Sequence, residues 1–175
     1  MSREEQRRHR TRLVDATDVE LLGHLRARAG IEDLVHAYAR LVDLNRPVDI
    51  AALFTAECWV DFGPGAPTGA PMRTRAEVAE RLAHGLSIFV ATSHHVSNLE
   101  VEVDPDAGRA AGSCYVYAWH RFADDRPDAD VWGRYHDEYV RDAGTWYIAR
   151  RELRVAGEQG FPIEFTPIGR TPSAG

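Results

Sequence analysis

Lysine is absent from this chain: all 21 basic residues are arginines, set against 27 acidic ones. That removes Schiff-base amines and a phosphate-binding P-loop lysine from the available chemistry. The net charge of −6 leaves no basic face for nucleic acid. Cysteine is nearly absent too. Cys58 and Cys114 lack zinc-ligand spacing and are too few for a disulfide scaffold. They read as buried free thiols of a reducing compartment. No apolar run approaches the ~20 residues of a membrane span, and the charged first twelve residues carry no leader-like apolar stretch. The expectation is a soluble cytoplasmic protein with neither nucleic acid nor membrane as partner. Nucleophile-elbow, dinucleotide-loop and H-E-x-x-H signatures are also missing.

What is present suits one domain: 175 residues, 44% of them hydrophobic. Residues 1–16 are rich in Arg and Glu and read as a flexible arm, followed by a domain over 17–157 and an extended or disordered tail over 158–175. Thr17-Asp18-Val19-Glu20 is a helix start, with Leu21, Leu22 and Leu25 as a short apolar stripe. A stronger helix is predicted over 31–45, where Ile31, Leu34, Val35, Tyr38, Leu41 and Val42 recur at three- to four-residue spacing and Pro47 stops the pattern. A short helix over 48–54, a strand over 58–62, a Gly/Pro-rich loop over 63–71 and a Thr74-capped helix over 75–86 follow. Strands over 93–104, 109–122, 131–142 and 145–155 complete the pattern, two of their joints being hairpin turns at 105–108 and 142–144. Helices followed by antiparallel hairpins predict an α+β fold, a curved sheet wrapped against helices around a cavity for a small apolar ligand.

Chemistry concentrates at His94-His95, where a polar loop enters an alternating strand. Histidine exchanges protons near neutral pH, so either ring is a candidate general base. Strict alternation places His95 inward with Leu99 and Val101, and a bulge near Ser97-Asn98 would turn His94 inward instead. Asp43 is either a solvated helix-end carboxylate or the orienter of a histidine. Tyr38 lies about 140° around the same helix and reads as a core residue or a rim donor. Arg151 falls on the same alternating face as Tyr147, Ala149, Leu153 and Val155. There it needs a carboxylate such as Asp137, or it clamps a ligand anion. Adjacent histidines point to opposite faces of a strand, so no metal site is expected.

The ordered set Ile31-Glu32-Asp33-Leu34, Tyr38, Asp43, Ala52-Leu53-Phe54-Thr55, His94-His95-Val96-Ser97-Asn98, the run from Arg134 to Arg141 and Gly144-Thr145-Trp146-Tyr147-Ile148 resembles the SnoaL-like proteins of the nuclear transport factor 2-like superfamily, over about 17–157. The resemblance is to the scytalone dehydratase, bile acid 7α-dehydratase and dehydrochlorinase group. It implies a cone-shaped α+β barrel and an Asp–His base dyad at Asp43 and His94, with Tyr38 and Arg151 as further catalytic residues. It also implies the bulge, and leaves His95 as the alternative base. His95, His120, Trp59, Tyr117 and Asn98 are the expected substrate contacts. The function implied is a cofactor-independent lyase or isomerase, dehydratase-like, acting on a small apolar cyclic or polyketide- or steroid-like substrate. A polyketide cyclase-type enzyme, a non-catalytic binding protein and a dioxygenase β-subunit-like module are the alternatives the same fold hosts. No cofactor and a homodimer or homotrimer are expected.

Overall fold

A computed structural model describes residues 16–161 apart from 64, 65 and 67. Most of the N-terminal arm (1–15) and the tail beyond 161 lie outside the described residues.

The first helix, α1 (Asp18–Asp43), is continuous through the break expected between its two apolar stripes. Thr17 opens it with a capping box. Its hydroxyl accepts from Glu20 N–H at 3.3 Å, and its own N–H donates to the Glu20 carboxylate at 2.8 Å. Gly30 lies within this helix, where it makes room for packing. A Cβ there would lie 3.0 Å from Cδ1 of Trp146, so the indole occupies the space a side chain would take. Ala27, Ile31, Leu34, Val35, Tyr38, Ala39 and Val42 form the buried stripe. The helix stops at Asp43 because Asn45 turns left-handed (φ 50°) and Pro47 begins α2 (Pro47–Ala52). The third helix, α3 (Arg75–Leu86), starts where Thr74 accepts from Glu77 N–H, as the sequence predicts.

Six strands follow the order β2-β1-β6-β5-β4-β3. These are β1 (Phe54–Asp61), β2 (Met72–Thr74), β3 (Phe89–Asp104), β4 (Arg109–Phe122), β5 (Ala129–Asp142) and β6 (Thr145–Gln159). Among the described residues only β1 and β6 pair in parallel, so the sheet is mixed, and it is open rather than a closed barrel. Strand β2, between the stretch read as loop and the predicted helix, is too short to show alternation. Strand β6 runs two residues into the predicted tail. The Ala143-Gly144 pair, both at positive φ, makes the tight β5–β6 hairpin.

Two bulges decide which side chains face the helices. In β3, Ser97 pairs with Tyr115 and Glu100 with Ser113, so three steps on one strand match two on the other. Asn98 sits at that step with φ 52°. Below it Leu99, Val101 and Val103 turn inward. Above it Thr92, His94 and Val96 do, while His95 is exposed. In β6 a similar step near Ala149 places Trp146 and Ile148 inside together with Arg151 and Val155. This corrects the face predicted for Tyr147 and Ala149, since plain period-two alternation does not survive a bulge.

The left-handed backbone at Asn98 favours Asn or Gly and penalises β-branched residues by about 1–2 kcal/mol. Asn98→Gly is therefore expected to keep the melting temperature of the parent. Asn98→Val is expected to lower denaturant-measured stability by about 1–2 kcal/mol. Equal stability of the Val variant would contradict this account of the bulge.

Candidate active site

The end of α1 and the upper half of β3 meet at one carboxylate. Asp43 Oδ1 lies 2.7 Å from His94 Nδ1 and accepts from the Thr92 hydroxyl at 2.8 Å, while Oδ2 accepts from the His94 backbone N–H at 2.9 Å. Three donors from one strand therefore fix both oxygens. Partial burial raises the Asp43 pKa, but the His94 ring, the His94 N–H and the Thr92 hydroxyl outweigh it and hold the group below the ordinary carboxylate value. An ionised carboxylate only accepts hydrogen bonds, so the bonded Nδ1 of His94 carries a proton and Nε2 is left with its lone pair. The imidazole is 9% exposed and Asp43 28%, so the base is sheltered while its orienter touches solvent.

The His94 ring lines a cavity of about 110 Å³ between the sheet and helices α1 and α3. Tyr38 and Val42 come from α1, Leu82 and Leu86 from α3, and Tyr135 and Leu153 from the sheet. Phe62, Phe89 and Phe161 add aromatic surface. Cavities of this order lined by apolar side chains accommodate a single aromatic ring. Asp43 and His94 also border a cleft of about 340 Å³ on the solvent side, with His36 and Arg40 on its rim. The dyad thus stands between a sheltered cavity and bulk water.

His120 approaches His94 edge to face, with ring centroids 5.5 Å apart. It is packed against Phe89 and Phe161 at 4.7 and 5.1 Å. Burial, followed by the nearby His94, pushes its pKa down to about 4 despite a hydrogen bond with the Ala129 backbone. His120 is therefore neutral at physiological pH.

Arg151 stands behind this cavity. It is fully buried and forms a two-pronged pair with Asp137, Nε to Oδ1 at 2.9 Å and Nη2 to Oδ2 at 2.6 Å. Tyr139 donates a further bond to Asp137 at 2.8 Å. The guanidinium carbon lies 4.1 Å from the Tyr38 ring and 4.2 Å from the Tyr135 ring. Both tyrosines line the cavity and Arg151 does not, so any influence on a bound molecule passes through them. Burial raises the Tyr38 pKa, and the positive charge of Arg151 opposes that rise. Tyr38 therefore keeps its proton and can donate it.

Of the other residues predicted to touch substrate, His120 lines the cavity and four do not. His95 points outward, its Nε2 3.2 Å from Ser93 Oγ. Tyr117 lies on the same outer face and donates to Asp130. Trp59 stacks under Arg150 with 3.6 Å from guanidinium to ring, and Asn98 is spent on the bulge. The first two are corrected by strand parity above the bulge. Sequence reasoning missed Tyr135, Phe89, Phe161 and Thr68 as lining residues. Tyr135 was readable from its two-residue spacing to Asp137 and Tyr139, whereas Thr68 lies in a loop with no periodicity. Among the described residues no group of three or more His, Cys, Asp or Glu side chains could hold a metal.

A helix-backed cone with an Asp–His pair between a cavity and solvent defines a class of small-molecule-handling α+β domains. The chain belongs to the SnoaL-like domain family, whose model matches residues 23–152. It is similar to a candidate scytalone dehydratase from Novosphingobium aromaticivorans (31% identity, TM-score 0.77, covering 86% of this chain and 98% of that one). A type 2 hexachlorocyclohexane dehydrochlorinase shares the fold at 20% identity, with TM-score 0.71 and 85% and 99% of the two chains covered. An uncharacterized protein of Mycobacterium tuberculosis H37Rv is 27% identical over 125 residues, 71% of this chain and 82% of that protein.

The sign of the His120 effect on stability follows from its depressed pKa. Above about pH 6.5 the ring is neutral in both folded and unfolded chains and costs nothing. As pH falls towards about 4, the unfolded chain takes up the proton and the folded one resists, so stability is lost. The difference amounts to on the order of 3 kcal/mol across that window. Stability measured by denaturation is expected to fall more gently between pH 6.5 and 4 in His120→Phe than in the parent. Parallel pH profiles would contradict it.

Proposed function

We propose that this protein is a cofactor-independent lyase or isomerase in which His94, oriented by Asp43, removes a C–H proton from a small, largely apolar cyclic substrate. The 2.7 Å Asp43–His94 contact, with the same imidazole lining an apolar cavity, is the observation that carries this reading. His94 Nε2 accepts the proton, and Asp43 stabilises the imidazolium that results. Tyr38 gives its hydroxyl proton to a departing hydroxyl, which leaves as water, or hydrogen-bonds the oxygen on which negative charge develops. Arg151 acts here as a positioning residue: its charge, 4.1 Å from the Tyr38 ring, makes that hydroxyl a stronger donor. The likeness to dehydratase and dehydrochlorinase structures supports an elimination, since each of those names denotes loss of a small molecule.

The base can be tested without knowing the natural substrate. In 5-nitrobenzisoxazole, removal of the ring C–H proton breaks the N–O bond and releases a coloured phenolate, so turnover reports a base beside an apolar pocket. The parent protein is expected to accelerate this opening. His94→Ala and Asp43→Asn are each expected to lose on the order of 10²-fold or more of the acceleration while keeping the parent's circular dichroism spectrum. Full activity in either variant contradicts the dyad.

A further inference from the structure

Two polar side-chain atoms in the cavity have no hydrogen-bond partner among the described residues: Thr68 Oγ1 and His120 Nδ1. Both side chains are more than nine-tenths buried, and both line the same cavity as His94. Neither is there by accident of a loose loop. Thr68 is held by α3, whose Arg81 donates Nε to the Thr68 carbonyl at 2.7 Å, and the turn is closed by Gly69 N–H to Ala66 C=O at 2.8 Å. Gly69, which ends the turn, takes φ 73°. The His120 ring is clamped by Phe89 and Phe161. His120 Nδ1 is thus left to be met by a bound molecule, and a neutral imidazole nitrogen accepts or donates a hydrogen bond according to its tautomer.

An unmet buried polar atom carries the full penalty of its lost hydration. Water can satisfy both atoms in the empty cavity, but a ligand that displaces the water must replace its bonds or lose affinity. A hydrocarbon or halocarbon offers no hydroxyl or other hydrogen-bonding group to His120 Nδ1. A hydroxylated ring offers one, and it gives Thr68 an oxygen to donate to. Sites built to pair a substrate hydroxyl discriminate strongly against analogues that lack it.

We propose that Thr68 and His120 are specificity-determining residues, and that the cavity selects ring compounds bearing a hydroxyl group over rings without hydrogen-bonding groups. The proposal rests on the cavity being the substrate site of the reaction above and narrows its substrate class.

The test is a pair of one-ring probes, phenol and toluene, titrated into the full chain at neutral pH, with binding read by calorimetry and by shifts of cavity-lining resonances. Phenol is expected to bind at least as tightly as toluene, although it is the more strongly hydrated of the two. Thr68→Val, a near-isosteric change, and His120→Phe are each expected to weaken phenol about tenfold and to leave toluene unchanged or tighter. Toluene binding tenfold tighter than phenol to the parent would overturn the proposal. So would phenol affinity unchanged in both variants. Binding is read without turnover, so failure of the Asp43–His94 base leaves the phenol preference intact, and loss of the preference leaves proton abstraction intact.

Discussion

The hydrogen bonds that converge on Asp43 tie the first helix to the third strand, and the site depends on that junction. Three donors from Thr92 and His94 reach a carboxylate placed where the helix dipole disfavours negative charge. Those donors offset both the dipole and partial burial, and keep the group ionised. The same geometry sets the His94 tautomer and turns its free nitrogen toward the cavity. One cluster therefore does structural and chemical work together: it closes the helix–sheet wedge and poises a base.

That junction exists only because β3 carries an extra residue. Without the step at Asn98, the strand parity set by Leu99, Val101 and Val103 would bring His95 to the cavity and expose His94. Most of the fold was legible beforehand. The apolar stripe of α1, the cap at Thr74 and the hairpin turns each rest on local chemistry that a single sequence displays. The bulges at Asn98 and Ala149 were not legible from periodicity, because a bulge is a property of pairing between strands. Resemblance to known proteins supplied the first of them, and nothing supplied the second. The role of Gly30 was hidden for a related reason, since it lies in the approach of Trp146, distant in sequence.

Polarity within the cavity was the least legible feature. Arg151 falls on an apolar face, which announces a buried charge and leaves its partner open between a carboxylate such as Asp137 and a ligand anion. The structure gives it to Asp137 and seals it behind Tyr38 and Tyr135. Breaking such a pair leaves an uncompensated charge at a cost of about 3–5 kcal/mol, so its first consequence is for the integrity of the tyrosine wall. The neutral His120 and the loop-borne Thr68 then give an otherwise apolar chamber two sites of directional recognition. Their meaning emerges only when the loop, the strand and the third helix are assembled.

The central claim is that Asp43 holds His94 with its proton on Nδ1 and its lone pair on Nε2. Nitrogen-15-resolved NMR of the imidazole rings at neutral pH tests it most directly. The account predicts that His94 is the Nδ1–H tautomer, with a strongly downfield Nδ1 proton that disappears in Asp43→Asn. A His94 ring protonated on Nε2, or one whose tautomer is indifferent to Asp43, would contradict it.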